Sequence, residues 1–369
     1  MMTKQILFAT TLAALALAGG CKKKDKPAEP APTPTAKEPG TGSAPTPDTA
    51  KPAAAPLTSE ALATAYLGTW ETWNAGDKAK FTALFAPDAV SHHPDQEVAE
   101  LKGAAAIVED AFMLRAAFPD AKAAPQLVLV SGRTVVGVLL VTGTNSGPMK
   151  MGDHELPASN QKIGMLVFQA LTWNDANLIT EEWVVVDGNS MAAQLGLSPM
   201  PGRPLMETGA AAPTIVVATG SDVEKTNQAA TAKGNDDFNQ HDLAAMMAGM
   251  ADNAVESDQS APADNVGKAK IEEGTKMFLA AFPDGTVTRV TSLAAGDYVV
   301  QVSTFTGTNS GDMGPMKKTD KRVTMTIAEI NKFESGKITQ LWRFFDSNAM
   351  VAQLGLAGEA PAPPEPKTN

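Results

Sequence analysis

The order of apolar and polar residues divides the central part of the chain into helices followed by strands. Apolar residues at helical spacing predict three helices. The first begins at Thr58 or Ser59 and runs through Trp73, and the second begins at Asp77. The third carries Ile107, Leu114 and Phe118 and is ended by Pro119. Apolar runs predict strands over 126–130, 134–142, 162–172 and 178–186. Helices first and antiparallel strands afterwards are typical of an α+β fold, in which helices cover one face of a curved sheet.

The same pattern occurs twice along the chain. Three motifs of the first half recur in the second half, in the same order and at nearly the same separation: Ala-Phe-Pro-Asp at 117–120 and 281–284, Gly-Thr-Asn-Ser-Gly at 143–147 and 307–311, and Ala-Gln-Leu-Gly-Leu at 193–197 and 352–356. A repeat of this length exceeds a solenoid unit, so it predicts two tandem domains. We expect a first domain at 57–197, a proline-rich linker at 198–214 and a second domain at 215–356.

The N-terminal segment predicts export and a lipid anchor. Lys4 precedes an apolar run at 6–18, which is short for a membrane span but suits the core of a signal peptide. Small residues before Cys21 resemble a bacterial lipoprotein signal, in which residues 1–20 are removed and Cys21 is lipidated. A plain secretory peptide, with Cys21 incidental, is the alternative.

The segments that flank the two domains predict a tether and a tail. Residues 21–56 and 357–369 are rich in proline and alanine, a composition that favours extended, disordered chain. With Lys22 after Cys21, we expect a protein held by its lipid in the cell envelope, at the outer membrane and facing the periplasm or the cell exterior.

Composition excludes several classes of function. The chain has 369 residues and a net charge of −11, with 5% aromatic residues and no long basic stripe, so we expect no nucleic-acid partner. Cys21 is the only cysteine, which excludes disulfides, cysteine nucleophiles and cysteine-rich zinc sites from the folded part. The sequence contains no phosphate-binding loop, dinucleotide fingerprint or zincin helix. We therefore expect no cofactor and no metal.

Both copies carry a similar set of motif residues, except that Gly76 has no counterpart in the second. In the first copy they are Asn74, Gly76, Asp77, Phe118-Pro119-Asp120, Gly143-Thr144, Ile179, Trp183, Asp187 and Gln194-Leu195-Gly196; in the second they are Asn239, Asp242, Phe282-Pro283-Asp284, Gly307-Thr308, Ile338, Trp342, Asp346 and Gln353-Leu354-Gly355. This combination resembles the SnoaL-like polyketide cyclases, also called ester cyclases, of the nuclear transport factor 2-like superfamily. The resemblance implies two cone-shaped α+β barrels and a cyclisation that needs no metal or cofactor. Because the superfamily includes enzymes and binding modules, it does not fix an activity.

Asp187 and Asp346 are the strongest candidates for chemistry. The resemblance implies that an aspartate at this position is the general acid/base. Alternation along a strand places Trp183 and Val185 on one face with Asp187, and Trp342 and Phe344 on one face with Asp346. If that face lines the cone, these side chains form an apolar pocket around a carboxylate, and desolvation there would favour proton transfer.

Helix capping is the alternative role for these two aspartates. Each directly precedes a predicted helix, at 189–195 and 348–354, where an aspartate side chain can accept hydrogen bonds from the first backbone amides. Capping and proton transfer require the same residue type, so the sequence leaves both open.

Several other polar residues are weaker candidates. We expect His92 rather than His93 to face the cavity of the first domain, where it could relay protons to Asp187; the second copy has no histidine there. Asn145 and Asn309 occupy a turn position that often carries histidine in the resembled family, and we expect them to contact the ligand. Met149, Met151 and His154 could hold Cu(I), although a flexible apolar loop over the cone mouth explains them as well.

Three functions follow from these observations. In the first, each cone binds a small apolar or amphipathic molecule, and the first domain also has acid/base activity through Asp187. In the second, the protein is a cofactor-free enzyme of cyclase or isomerase type that uses Asp187 and Asp346. In the third, the cones are filled by their own side chains and the lipoprotein has a structural or interaction role.

Overall fold

The computed structural model of the protein describes residues 55–96, 98–151, 154–314 and 316–356. The expected signal peptide at 1–20, the lipidation site Cys21, the tether up to residue 54 and the tail at 357–369 lie outside the described residues. Among the described residues, the helices are all too short or too polar to cross a membrane.

The first domain consists of helices packed on a sheet whose strand order is β2-β1-β8-β7-β4-β3-β9, and a separate hairpin of β5 and β6. The sheet is antiparallel except where β1 pairs with β8 and β3 with β9. Its elements are α1 (Ser59–Asn74), α2 (Lys78–Thr82), β1 (Phe85–His92), β2 (Glu100–Lys102), α3 (Ala104–Ala117), β3 (Lys122–Ser131), β4 (Thr134–Thr144), β5 (Met149–Met151), β6 (His154–Leu156), β7 (Lys162–Trp173), β8 (Ile179–Val185), α4 (Gly188–Gln194) and β9 (Thr214–Val217).

The second domain repeats this arrangement, with the strand order β11-β10-β15-β14-β13-β12. In the described residues it has no counterpart of β9, so β12 stays an edge strand. Its elements are α5 (Asp222–Asn239), α6 (Leu243–Ala248), β10 (Met250–Asp258), β11 (Asn265–Val266), α7 (Lys268–Ala281), β12 (Thr286–Ala295), β13 (Tyr298–Thr308), β14 (Arg322–Glu334), β15 (Lys337–Phe344) and α8 (Ser347–Gln353).

Local sequence sets the helix boundaries as predicted. The Thr58 side chain accepts a hydrogen bond from the Ala61 amide at the start of α1, and Asp77 accepts one from the Lys80 amide at the start of α2. Helix α3 ends at Ala117, directly before Phe118-Pro119, because proline cannot continue the helical hydrogen bonding. The predicted α+β class, helices covering one face of a curved sheet in each half, is confirmed.

Each sheet is buried on both faces. One face packs against the helices of its own domain, with Leu62 and Tyr66 of α1 fully buried against the sheet. The other face packs against the second domain, and there the rings of Phe168 and Phe344 lie 5.9 Å apart, between centroids. The two domains therefore form a pair within one chain, joined through the outer faces of their sheets.

The linker takes part in the first domain. The Met206 amide donates a hydrogen bond to the Gly164 carbonyl of β7 at 2.9 Å, and β9 then pairs in parallel with β3. Residues 215–217, which we expected to open the second domain, thus extend the sheet of the first. The chain enters the second domain only after this strand.

Candidate functional site

The two predicted catalytic aspartates lie between the domains and cap helices. The Oδ2 atom of Asp187 accepts hydrogen bonds from the Ser190 amide at 2.8 Å and the Ser190 hydroxyl at 2.6 Å, at the start of α4. Its Oδ1 atom accepts from the Ser347 amide at 2.9 Å and hydroxyl at 2.6 Å, at the start of α8 in the other domain. The geometry therefore supports the capping role and adds a bond across the interface.

Asp346 makes the reciprocal contact. Its Oδ1 atom accepts from the Asn348 amide of its own helix at 3.0 Å and from the Gly188 amide of the first domain at 3.2 Å. Burial, together with the nearby carboxylate of Asp187, raises the pKa of Asp346 to about 7. The matching pair of contacts relates the two domains by an approximate two-fold axis. The proton-transfer role of both aspartates stays a prediction.

The side chains expected to line the cones face the domain interface instead. Val185 and Phe344 are buried in the apolar cluster between the sheets, and Trp183 and Trp342 pack against that cluster. The alternation grouped these residues correctly, but it does not say which of two buried faces points toward the helices. Because the second domain covers the outer face, an apolar face here is not necessarily the inside of the cone.

The orientation of the two histidines is also the reverse of the prediction. The His92 ring stacks on Trp183, with centroids 4.3 Å apart, and its Nε2 atom lies 3.3 Å from a carboxylate oxygen of Glu181 on the outer face. His93, the following residue, is buried inside the cone. Strand alternation requires neighbouring side chains to point to opposite faces, so only one of them could be inside.

Asn145 and Asn309 hold loops in place. The Asn145 amide group donates to two backbone carbonyls, while its oxygen accepts from the Ser159 amide at 2.8 Å and hydroxyl at 2.9 Å. Asn309 makes the equivalent bonds with Thr319 at 2.9 and 3.1 Å. These side chains are occupied by their own loops, so the structure gives no support to their expected contact with a ligand.

The methionine-rich loop forms the hairpin of β5 and β6, in which Met151 pairs with His154. The tip residues 152 and 153 lie outside the described residues. Across the parts of the chain that the structure describes, there is no group of three or more His, Cys, Asp or Glu side chains arranged to bind a metal ion.

A different carboxylate lies inside the cone of the first domain. Glu182 is on β8 next to Trp183, but it points toward the helices and is 8% exposed. Its Oε2 atom accepts a hydrogen bond from the Ser91 hydroxyl at 2.7 Å, and its Oε1 atom accepts one from the Gln169 amide at 2.6 Å. Burial raises the pKa of Glu182, because the apolar surroundings disfavour the charged form. Within the described residues, it forms no ion pair with lysine or arginine.

Polar side chains connect this carboxylate to the helices. Since the Ser91 hydroxyl donates to Glu182, the His93 Nε2 atom, 2.8 Å away, must carry the proton that Ser91 accepts. The opposite nitrogen of His93 faces Asp110 of α3, 3.9 Å from its nearest carboxylate oxygen. Burial lowers the pKa of His93 to about 4 and raises that of Asp110 to about 6. Glu182, Ser91 and His93 thus form a hydrogen-bonded line, and Asp110 lies beyond it, out of hydrogen-bond distance.

Three buried polar atoms beside Glu182 have no hydrogen-bond partner among the described residues. They are the Tyr66 hydroxyl, the Trp70 indole nitrogen and the Gln169 side-chain oxygen. The Trp70 nitrogen is near the Tyr66 hydroxyl without hydrogen-bond geometry. Gly137 makes room for Tyr66, because a Cβ atom there would lie 1.8 Å from the tyrosine oxygen. Each unpartnered buried group costs about 1–3 kcal/mol.

The second domain has an arginine in the equivalent interior. Arg343 occupies the register position of Val184; its Nη1 atom lies 2.6 Å from Glu256, and its Nε atom 2.9 Å from Glu329. Burial opposes the charge on Arg343, but the surrounding carboxylates raise its pKa. The Gln301 amide donates to Glu329 at 2.7 Å, which completes the network. This cone therefore contains one guanidinium shared by two carboxylates, whereas that of the first domain contains an acid without a cation.

The sequence contained signals for this interior site that the motifs did not bring out. Glu181 and Glu182 are adjacent on a strand, so they point to opposite faces, and Glu182 must lie on the face opposite Trp183. Gly137 interrupts the apolar run of β4, which indicates that another group approaches the backbone closely. Neither Glu182 nor Gly137 belongs to a recognisable catalytic motif.

The interior of the first cone is occupied by side chains of its own chain, among them Tyr66, Trp73, Phe118 and Leu139. The open cavity expected inside the cone is thus not seen in the described residues around Glu182. A filled interior is the feature expected for the third function, and binding at Glu182 requires side chains of this interior to move aside.

The comparisons with known proteins point to one family. The family model for SnoaL-like polyketide cyclase matches residues 63–195 and 229–354, which together make up more than half of the chain. No curated protein matches the sequence. Among solved structures, AclR from Streptomyces galilaeus is 21% identical with a TM-score of 0.34, and it covers 37% of this chain and 99% of its own.

Two further solved structures are similar. A SnoaL-like protein from Jannaschia sp. CCS1 is 17% identical with a TM-score of 0.35, covering 37% of this chain and 96% of its own. IdmH from Streptomyces antibioticus is 24% identical with a TM-score of 0.32, covering 35% of this chain and 98% of its own.

Proposed function

The chain belongs to the SnoaL-like polyketide cyclase family, and from this premise and the interior geometry we propose that the first domain is a cofactor-free acid/base catalyst of cyclase or isomerase type. Its substrate is a small apolar or amphipathic carbonyl compound, and Glu182 is the group that takes and returns the proton. The observation that carries this proposal is a buried carboxylate without a cationic partner, surrounded by polar atoms that have no hydrogen bond.

Burial prepares Glu182 for proton transfer. A carboxyl group with a raised pKa is a stronger base when it is ionised, and burial raises the pKa of Glu182 in this way. The bonds from Ser91 and Gln169 fix one oxygen each, so the acid has a defined orientation. Ser91 and His93 lie in line behind Glu182 and support this orientation.

The unpartnered donors supply the second half of the chemistry. Removal of a proton next to a carbonyl group places negative charge on the carbonyl oxygen, and donors aimed at that oxygen stabilise the charge. The Tyr66 hydroxyl and the Trp70 N–H are two buried donors with no partner among the described residues. Because burial raises the pKa of Tyr66, the hydroxyl keeps its proton and stays available as a donor.

The second domain provides the scaffold. In its interior Arg343 forms ion pairs with Glu256 and Glu329. Removing one partner of a buried ion pair lowers the stability of the fold by about 3–5 kcal/mol. The ion cluster therefore favours a stably folded second domain. Its sheet covers the outer face of the first domain and holds β8, which carries Glu182, in place.

We also propose that the protein works outside the cytoplasm, attached through Cys21. The support is the sequence of residues 1–21, an apolar run followed by small residues and the single cysteine of the chain. Metabolic labelling with a fatty-acid analogue, compared between the parent and Cys21→Ser, tests the anchor; equal labelling of both would contradict it.

The catalytic proposal can be tested with a simple ketone. We expect the full chain to accelerate the exchange of the α-protons of 2-tetralone with deuterium oxide, followed by proton NMR. Glu182→Gln keeps the size of the side chain but removes its acid, so exchange should fall by about 100-fold or more, the usual contribution of general acid–base catalysis.

Asp187→Asn is the matched control, since it makes the corresponding acid-to-amide change at another buried carboxylate of the same domain. We expect exchange by this variant to stay within about twofold of the parent, in line with a capping role. Loss of exchange in Asp187→Asn but not in Glu182→Gln would restore the role assigned to Asp187 from the sequence. No exchange above the buffer rate by the parent would contradict proton transfer in the first domain.

A further inference from the structure

A space of ligand size lies between the two domains, away from both cone interiors. It is a cavity of about 420 Å³. Its walls come from three parts of the chain: the sheet of the first domain through Leu127, Val138 and Leu166, the sheet of the second through Tyr298 and Trp342, and the linker through Met206 and residues 208–210. The space is partly open to solvent, and its volume is in the range of small-molecule sites.

The approximate two-fold axis gives this cavity a counterpart. A space of only about 30 Å³ lies among Trp183, Thr291 and Val302. These residues occupy the positions of Trp342, Leu127 and Val138 when the two domains are superposed by their strand registers. The two clefts are thus built from equivalent positions of opposite domains, and one of them is far larger.

The linker is the part of the larger cavity that has no symmetric equivalent. It is fixed on the first domain by the bond from the Met206 amide to Gly164, and by the bond from the Ala210 amide to the side-chain oxygen of Gln126 at 2.6 Å. Strand β9 continues this attachment along β3. The linker passes the interface once, so only one of the two clefts receives this additional wall.

The lining of the cavity defines the ligand. It contains no charged side chain, so an ionised molecule would lose its hydration without a counter-charge. The rings of Tyr298 and Trp342 lie 6.4 Å apart and within 27° of parallel, which provides a flat aromatic wall opposite the aliphatic side chains of the first domain. The polar groups of the lining side chains are neutral hydroxyl, indole and amide groups.

We propose that the interdomain cavity binds an uncharged, flat ring compound, held against the Tyr298–Trp342 wall and covered by the linker. This site is separate from Glu182 and does not depend on the acid/base proposal. It belongs to the paired domains rather than to either one, because each domain contributes only one wall.

The test uses the uncharged fluorescent ring compound N-phenyl-1-naphthylamine and the full chain. We expect saturable binding with an increase in probe fluorescence. Thr208→Trp places a large side chain in the cavity from the linker, without removing any core residue, and should weaken binding by about tenfold or more. Thr291→Trp adds the same bulk beside the smaller cleft and should leave the affinity within about twofold of the parent.

Tryptophan emission locates the bound probe. Binding should quench part of the tryptophan emission of the parent, and this part should be missing in Trp342→Phe but present in Trp183→Phe. The proposal is overturned if the probe does not bind, if Thr208→Trp binds it as the parent does, or if both threonine variants lose it equally. Binding that is lost in Glu182→Gln and kept in Thr208→Trp would place the probe in the cone and also overturn it.

Discussion

Replacement of Asp346 by asparagine removes a buried charge from the domain interface while keeping its hydrogen bonds. One oxygen, Oδ1, accepts both bonds of this side chain, from the Gly188 amide at 3.2 Å and the Asn348 amide at 3.0 Å. An amide oxygen in the same position can accept both. The change in stability should therefore report the cost of the charge itself.

The magnitude follows from the pKa of Asp346, which burial and the Asp187 carboxylate raise to about 7. In an unfolded chain an aspartate has a pKa of about 3.9. Below pH ~4 both states hold the proton and the acid costs nothing. Between pH ~4 and ~7 the unfolded state ionises while the folded state keeps its proton, so the folded state loses stability, by up to ~4 kcal/mol above pH 7 for a pKa difference of ~3 units.

We expect Asp346→Asn to be more stable than the parent at pH 8, by up to ~4 kcal/mol, and to match the parent at pH 4. Urea unfolding at both pH values measures the difference. A variant that is less stable at pH 8, or that gains the same amount at both pH values, would refute the reasoning, because neither result depends on ionisation of a buried acid.

Asp187→Asn is the control for this experiment. The carboxylate of Asp187 accepts hydrogen bonds at both oxygens, from Ser190 on one side and Ser347 on the other. An asparagine has to turn its NH₂ group toward one of these serines, where it meets donors. We expect a loss of about 3 kcal/mol, the order of two hydrogen bonds to a charged group. If both variants gain stability alike, the assignment of the hydrogen bonds is wrong.

Three further predictions concern the two cone interiors. Gly137→Ala should destabilise the protein by about 1–3 kcal/mol, since its Cβ would meet the Tyr66 hydroxyl, and Tyr66→Phe in the same chain should recover part of this loss in thermal melts. Arg343→Met should lower the free energy of unfolding in urea by about 3–5 kcal/mol, because it leaves buried carboxylates without a cation; an unchanged urea midpoint would show that these ion pairs do not stabilise the domain. His93 should remain neutral, with its proton on Nε2, down to pH 5 in ¹⁵N NMR; its low pKa favours the folded state above pH ~6.5, and this contribution is lost as the pH falls toward 4.

Much of the fold was predictable because its determinants are local. Thr58, Asp77 and Pro119 set helix boundaries through hydrogen bonds with residues a few positions away, and the motif repeat revealed the second domain. Strand β1 was expected only around His92 and without bounds, since Phe85–His92 mixes apolar residues with proline, aspartate and histidine and shows no clean alternation. Strand β9 was missed for a different reason: its partner β3 lies far away in the sequence.

The candidate site was harder to predict because it depends on which sheet face is inside. The strand pattern placed Trp183 and Asp187 together, and this grouping is correct. The sequence could not show that a second domain would cover that face and leave Glu182 on the other one. Only the packing of one domain on the other decides between two faces that are both buried.

The covalent connection between the two domains has a consequence for how each half can vary. In a dimer of identical chains, every substitution at the contact is made on both sides of the axis, so a change that suits one side must suit the other. In this chain a substitution is made once. The two halves can therefore diverge independently, and they have done so: an acid without a cationic partner, Glu182, lies inside one, and Arg343 lies inside the other. A domain whose chemistry requires mobile side chains can then be stabilised by a rigid neighbouring domain of the same polypeptide.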